Sequence, residues 1–251
     1  MTHVPLAAFV FQRVTRGLSS KISSNQRFSI VFAISVMNAL KYVPGMQLER
    51  WDLKHPIESQ SYEVINENFD ATRYSELEGE IAKRIVHATA DFELGQSLLF
   101  SPKAIEIGID ALEKGCVVTC DVEMVRAGIT KYPTNCYLNA VASSPAGFPT
   151  RSYSAMAKAA ELNPENGLFV IGCAPTALAA LVELENASWF NPALIIGLPV
   201  GFIGAAETKN LLAHSRFNFI TNQGNKGGSP AASAAMNALL RLRENPGVSH
   251  R

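Results

Sequence analysis

The sequence predicts an α/β fold: a doubly wound, flavodoxin-like parallel sheet of five strands with helices on both faces, preceded by an N-terminal helical segment. Three observations predict it. From Cys116 onward, five short apolar runs alternate with segments of helical period. Each run is apolar at successive positions, as strands covered on both faces require. Loops rich in glycine, proline and small residues separate the runs from the helices that follow.

A helical pattern runs over 56–69, with Ile57, Tyr62, Val64, Ile65 and Phe69 as its apolar members. Ser75 opens a second helix, and Ser75 with Glu78 forms a capping-box pattern in which each side chain satisfies a backbone N–H of the first turn. Leu77, Ile81, Ile85 and Val86 make its apolar stripe. Ser101-Pro102 reads as a cap followed by a first-turn proline, opening a third helix that stops at Gly115. The period then changes. Strands are expected over 116–120, 135–141, 168–172, 193–198 and 217–221, with helices over 151–161, 175–187, 205–213 and 229–243.

The totals describe an ordinary globular protein. The chain has 251 residues, and 22 Lys and Arg balance 22 Asp and Glu. Nothing argues for a nucleic-acid partner, which usually demands a basic face. Cys116, Cys120, Cys136 and Cys173 match no zinc spacing, and three of them fall in apolar runs. Buried, reduced thiols and a cytoplasmic location are the expectation.

The first segment differs from the rest. No Asp or Glu precedes Glu49, whereas Arg13, Arg16, Lys21, Arg27 and Lys41 are basic. The apolar stretch 28–40 is shorter than the roughly 20 residues that a bilayer span needs, so no stable membrane span is expected. Residues 1–45 read as a targeting peptide, a membrane-associating arm or an over-extended reading frame whose start is Met46. The last reading is preferred, and the domain is drawn from residue 46 to residue 251.

Ligands of open parallel sheets bind beyond the carboxyl ends of the strands. Three loops there are built from small residues and lead into helix N-termini: 172–177, 197–207 and 222–230. Free N–H groups and the positive end of a helix dipole make such places receptive to anions. None is a phosphate-loop motif or a dinucleotide fingerprint, so a flat, multiply charged ligand suits them better than a nucleotide. His87, in Arg84-Ile85-Val86-His87-Ala88, is the candidate for proton chemistry, because an unperturbed imidazole titrates near pH 6.5. Read alone, a histidine near a helix end is more often structural than catalytic. Asp121 and Glu123 could pair as acid and base or cap the next short helix.

Taken together, the segments resemble a known family. They are Arg84-Ile85-Val86-His87-Ala88, Phe100-Ser101-Pro102, Cys120-Asp121-Val122-Glu123-Met124-Val125 and Pro149-Thr150-Arg151-Ser152. Ile171 to Leu178, Gly197-Leu198-Pro199-Val200-Gly201-Phe202 and Lys226-Gly227-Gly228-Ser229 complete the set. From about His55 onward the chain resembles the precorrin-8X methylmutases of corrin biosynthesis. The resemblance implies an isomerase that moves a methyl group from C-11 to C-12 of precorrin-8X, or of cobalt-precorrin-8, without a cofactor. It implies His87 as proton donor and Ser61, Arg84, Thr130 and Arg151 as substrate contacts. The loop residues Gly227, Gly228 and Ser229 join them as substrate-binding candidates. It further implies a homodimer with the site near the subunit interface, and channelling to neighbouring pathway enzymes. The alternative is a corrinoid-binding carrier of the same fold that does not turn over. A nucleotide-binding oxidoreductase is a third class, disfavoured by the missing glycine fingerprint.

Overall fold

In the computed structural model, residues 56–142 and 148–244 are described. The extension over 1–45, the boundary at Met46 and His55 lie outside the described residues. The chain forms α1 (Pro56–Asn68), α2 (Glu76–Thr89), α3 (Phe92–Gln96), β1 (Leu98–Phe100), α4 (Ala104–Glu113), β2 (Val118–Cys120), α5 (Glu123–Gly128) and β3 (Thr134–Cys136). After a 3-10 turn at Leu138–Ala140 come α6 (Arg151–Leu162), β4 (Leu168–Ile171), α7 (Pro175–Val182), β5 (Leu194–Gly197), α8 (Ala205–Ala213), β6 (Phe219–Asn222) and α9 (Ser229–Glu244).

The sheet order is β1-β6-β5-β4-β2-β3. The five expected strands, β2 to β6, pair in parallel. The expectation of a five-stranded, all-parallel sheet needs correction, because β1 adds a sixth strand, antiparallel to β6 with Leu98 opposite Asn222. Strand β1 has three residues, too few to show a period. Helix α3, with five residues, is also too short to show a period and is not among the expected elements.

Side chains alternate across the sheet as the two-residue repeat of a strand demands. Leu168 and Val170 of β4 and Leu194 and Ile196 of β5 share a core with Ile81, Ile85 and Leu239 from α2 and α9. Phe169, Ile171 and Ile195 point to the opposite face, against Leu178, Leu181 and Leu212 from α7 and α8. Helices therefore cover both faces, which is why these runs read as continuously apolar.

Local departures have identifiable causes. Ser101 does not cap α4; its Oγ accepts from Phe219 N–H at 2.9 Å and ties the end of β1 to β6. Helix α4 instead starts after Lys103, which has φ 59° and makes no side-chain cap. Strand β3 stops at Cys136 rather than 141, as an edge strand paired only with three-residue β2. The thiols also differ from expectation: Cys120 is buried, Cys116 and Cys136 are half-buried, and Cys173 is exposed, because it lies past the end of β4. The capping box at Ser75 and Glu78 forms in both directions. Among the described residues no helix is long and apolar enough to cross a membrane.

Candidate active site

His87 occupies the last turn of α2. Gly79, Ile81, Ala82, Ile85 and Val86 bury the other side of that helix, leaving Arg84 and His87 together on its outer side. The helix ends at Ala90 in the left-handed conformation, φ 53°. Across from it, α1 presents Glu58 and Tyr62, four residues apart and so on one face. The imidazole stacks on the buried Tyr62 ring, with centroids 5.1 Å apart and planes 6° apart. Arg84 Nη1 donates to Glu58 Oε1 at 3.0 Å and approaches the Tyr62 hydroxyl at 3.5 Å.

This setting depresses the basicity of His87. Burial lowers its pKa from the ordinary value, the Arg84 charge lowers it further, and Glu58 opposes both. At neutral pH the resting imidazole is therefore largely neutral. Arg84 itself is held charged: burial pulls its pKa down, but Tyr62 and Glu58 outweigh that and raise it. The Arg84–Glu58 pair is about one-third exposed on each side. Such pairs contribute only about 0–1 kcal/mol, so Arg84 can exchange Glu58 for an incoming carboxylate at little cost.

The backbone that follows His87 leads to the carboxyl edge of the sheet. Asp91, four residues beyond His87, caps α3 by accepting from Leu94 N–H at 2.9 Å. The same carboxylate receives Lys226 Nζ at 2.8 and 3.0 Å, and Glu93 receives it at 2.8 Å. Lys226 precedes Gly227, Gly228 and Ser229, at the start of α9. A Cβ on Gly227 would lie 2.4 Å from the Leu198 carbonyl oxygen and 2.7 Å from that of Pro199. Glycine is thus required for the β6–α9 loop to press against the β5–α8 loop. Gly228 N–H donates to Leu198 O at 2.9 Å, and Gly201 N–H to Asn225 O at 3.1 Å, locking the two loops together.

The three expected anion-receptive loops are not equivalent. The one after β4 is already occupied: the buried Asp121 carboxylate accepts from Gly172 N–H at 3.1 Å and from Cys173 and Ala174 N–H at 2.8 Å each. Burial pushes the Asp121 pKa up, and those N–H donors pull it back. Asp121 therefore braces a neighbouring loop; it neither pairs with Glu123 nor caps α5, whose first turn has no side-chain cap. Glu123 pairs instead with Arg126 at 2.5 Å. The loop after β5 carries Phe202 and Ile203, 94 % and 90 % exposed. Two bulky apolar side chains at the mouth of a polar edge suit a flat apolar surface.

The other candidates fall in different places. Ser61 lies beside Tyr62, and its hydroxyl donates to Ile57 O at 2.8 Å while keeping its acceptor capacity. Arg151 is exposed at the start of α6, held near the start of α7 by a 2.7 Å contact between the Thr150 and Thr176 hydroxyls. It sits at the carboxyl edge but on the opposite face of the sheet from His87. Thr130 is not brought to this edge within the chain. Its neighbour Lys131 pairs with Glu244 at the far end of α9 at 3.1 Å, and Tyr132 donates to Cys116 O, ahead of β2. Glu58 and Asp91 are given no role by the sequence reading, which has Tyr62 only as an apolar member of α1 and Lys226 only as the first residue of a family-like segment. Among the described residues no group of three His, Cys, Asp or Glu side chains could hold a metal ion.

Comparison with known proteins places the chain in a family. The family described as precorrin-8X methylmutase matches residues 56–242. A cobalt-precorrin-8 methylmutase of Priestia megaterium is 39 % identical over 204 residues, covering 77 % of this chain and 90 % of the relative. A precorrin-8X methylmutase of Sinorhizobium is 34 % identical over 195 residues, covering 74 % and 93 %. The solved precorrin-8X methyl mutase of Thermus thermophilus superimposes with a TM-score of 0.70 at 33 % identity, covering 78 % of this chain and 98 % of that one. The chain belongs to the precorrin-8X methylmutase family.

Proposed function

We propose that this protein is the isomerase of corrin biosynthesis that moves a methyl group from C-11 to C-12 of precorrin-8X or cobalt-precorrin-8, giving hydrogenobyrinic or cobyrinic acid. Family membership and the relatives' activity support it. The observation that carries it is the His87 cluster itself: a half-buried imidazole stacked on Tyr62 and beside Arg84, at the end of a helix whose next capping residue, Asp91, holds Lys226 of the glycine loop. An intramolecular shift needs little beyond a held ring and a placed proton. One C–CH3 bond breaks as its neighbour forms, and no atoms enter or leave.

In this reading His87 donates a proton to the conjugated system, polarises it and takes the proton back after the shift. Positioned acid catalysis of this kind is typically worth about 10²–10⁴-fold. A substrate carrying several carboxylates raises the His87 pKa on arrival, reversing the depression set by burial and Arg84. Arg84, Ser61 and the loop residues Gly227, Gly228 and Ser229 hold its rim, and Phe202 and Ile203 contact its apolar face. The architecture is read as flavodoxin-like with one antiparallel strand added. The active unit is read as a homodimer, cytoplasmic, handing product to neighbouring pathway enzymes. Arg151 and Thr130 reach a site only as contributions to a second copy.

The test is incubation of the purified protein with precorrin-8X and with cobalt-precorrin-8 separately, following the absorption change of the ring. Conversion of either supports the isomerase. Tight binding of both rings with no spectral conversion favours the alternative, a corrinoid carrier of the same fold.

A further inference from the structure

Lys209 of α8 is among the most deeply buried side chains in the protein, 1 % exposed. A lysine is almost never fully buried without a charged partner. Among the described residues Lys209 has only neutral ones: its Nζ donates to Asn222 Oδ1 at 3.0 Å and to the Lys226 carbonyl oxygen at 2.6 Å. Asn222 Nδ2 donates to the same carbonyl at 3.1 Å and to Gln223 O at 2.8 Å. The Lys226 carbonyl is thus drawn inward by two donors. In a trans peptide the next N–H points the opposite way. The Gly227 N–H therefore faces outward, and among the described residues it has no acceptor.

We propose that Lys209 is a positioning residue for substrate carboxylates: its buried ammonium turns the Lys226–Gly227 peptide outward and places uncompensated positive charge beneath the loop that receives an anion. This rests on the reading of the ligand as a polycarboxylate ring. It explains why a cation occupies a place that methionine could fill without the cost of burying a charge. A bound carboxylate on Gly227 N–H supplies the missing counter-charge.

A pH signature follows. Burial lowers the Lys209 pKa to about 8. The elements packed against it, α7 and β6, carry no titratable side chain. The charged groups nearby are Glu207 on its own helix and Lys226, whose ammonium is turned to Asp91 and Glu93. Asp91 is held below and Lys226 above their ordinary values, so neither changes charge between pH 7 and 9. As pH rises through about 8, Lys209 loses its proton and ligand affinity falls.

The experiment measures the dissociation constant of hydrogenobyrinic acid across pH 7–9 for the full chain, Lys209→Met and Lys209→Gln, with turnover assayed separately. The native chain is expected to lose affinity above about pH 8. Both variants are expected to bind about tenfold more weakly at pH 7 and to lack the step near pH 8, keeping only the His87-linked fall that all three chains share, while kcat at saturation stays within about twofold. Gln keeps a donor for the Lys226 carbonyl, so it reads the charge alone should Met fail to fold. Unchanged affinity in Lys209→Gln, or a step near pH 8 that persists in it, overturns the proposal. Binding with this pH signature but without turnover contradicts the isomerase reading and leaves the Lys209 assignment standing; absence of any ring binding by the native chain overturns both.

Discussion

What His87 can do is decided by Tyr62, Arg84 and Glu58. Burial, partly under the Tyr62 ring, favours the neutral imidazole, Arg84 adds to that, and Glu58 works against it. The sign matters for activity. In the free enzyme the imidazolium exists only below a pKa that is itself below 6.5. The kcat/KM profile, which reports the free enzyme, is therefore expected to fall as pH rises through a value under 6.5, whereas kcat, which reports the complex, holds to higher pH. Glu58→Gln removes the opposing charge, and an NMR titration of His87 should show its pKa move further down. An upward or absent shift contradicts the electrostatic account. The position of His87 was legible from the capping box and apolar stripe of α2. Tyr62 was legible only as an apolar member of α1, because a helical period does not say which ring meets which across two helices.

At the scale of elements, the site is assembled from loops that hold one another. Gly227→Ala forces a methyl against two carbonyl oxygens at a φ of 153°. Overpacking of this kind costs about 1–3 kcal/mol, and the urea midpoint is expected to fall accordingly, together with ligand affinity. Asp121→Asn turns an amide toward N–H groups that need an acceptor. Leaving buried donors unsatisfied costs about 1–3 kcal/mol, again read from the urea midpoint. An Asn variant as stable as the native chain would remove Asp121 from the architecture of the edge. The loops announced themselves in sequence by their glycines and small residues. Which of them keep free N–H groups did not, because Asp121 lies 51 to 53 residues from the groups it satisfies. Ser101 shows the same limit: its capping pattern is genuine, but β6 takes the hydroxyl first.

For the whole molecule, the two-faced sheet explains both what was readable and what was not. Strands buried on both sides announce themselves as apolar runs, so β2 to β6 were visible; the three-residue antiparallel edge strand β1 carries no such signal. The side chains assigned to the site all lie beyond residue 56, where the family match begins. A chain shortened to start at Met46 is accordingly expected to keep its turnover within about twofold, measured with the same ring-absorption assay. Light scattering is expected to give about twice the 27.1 kDa of one chain. If His87 supplies the proton for the methyl shift, a comparison of His87→Ala with the native chain for both ring binding and conversion shows it. His87→Ala is expected to lose about 10²–10⁴-fold in kcat with the dissociation constant for the ring largely unchanged. Conversion by His87→Ala at the native rate would contradict it.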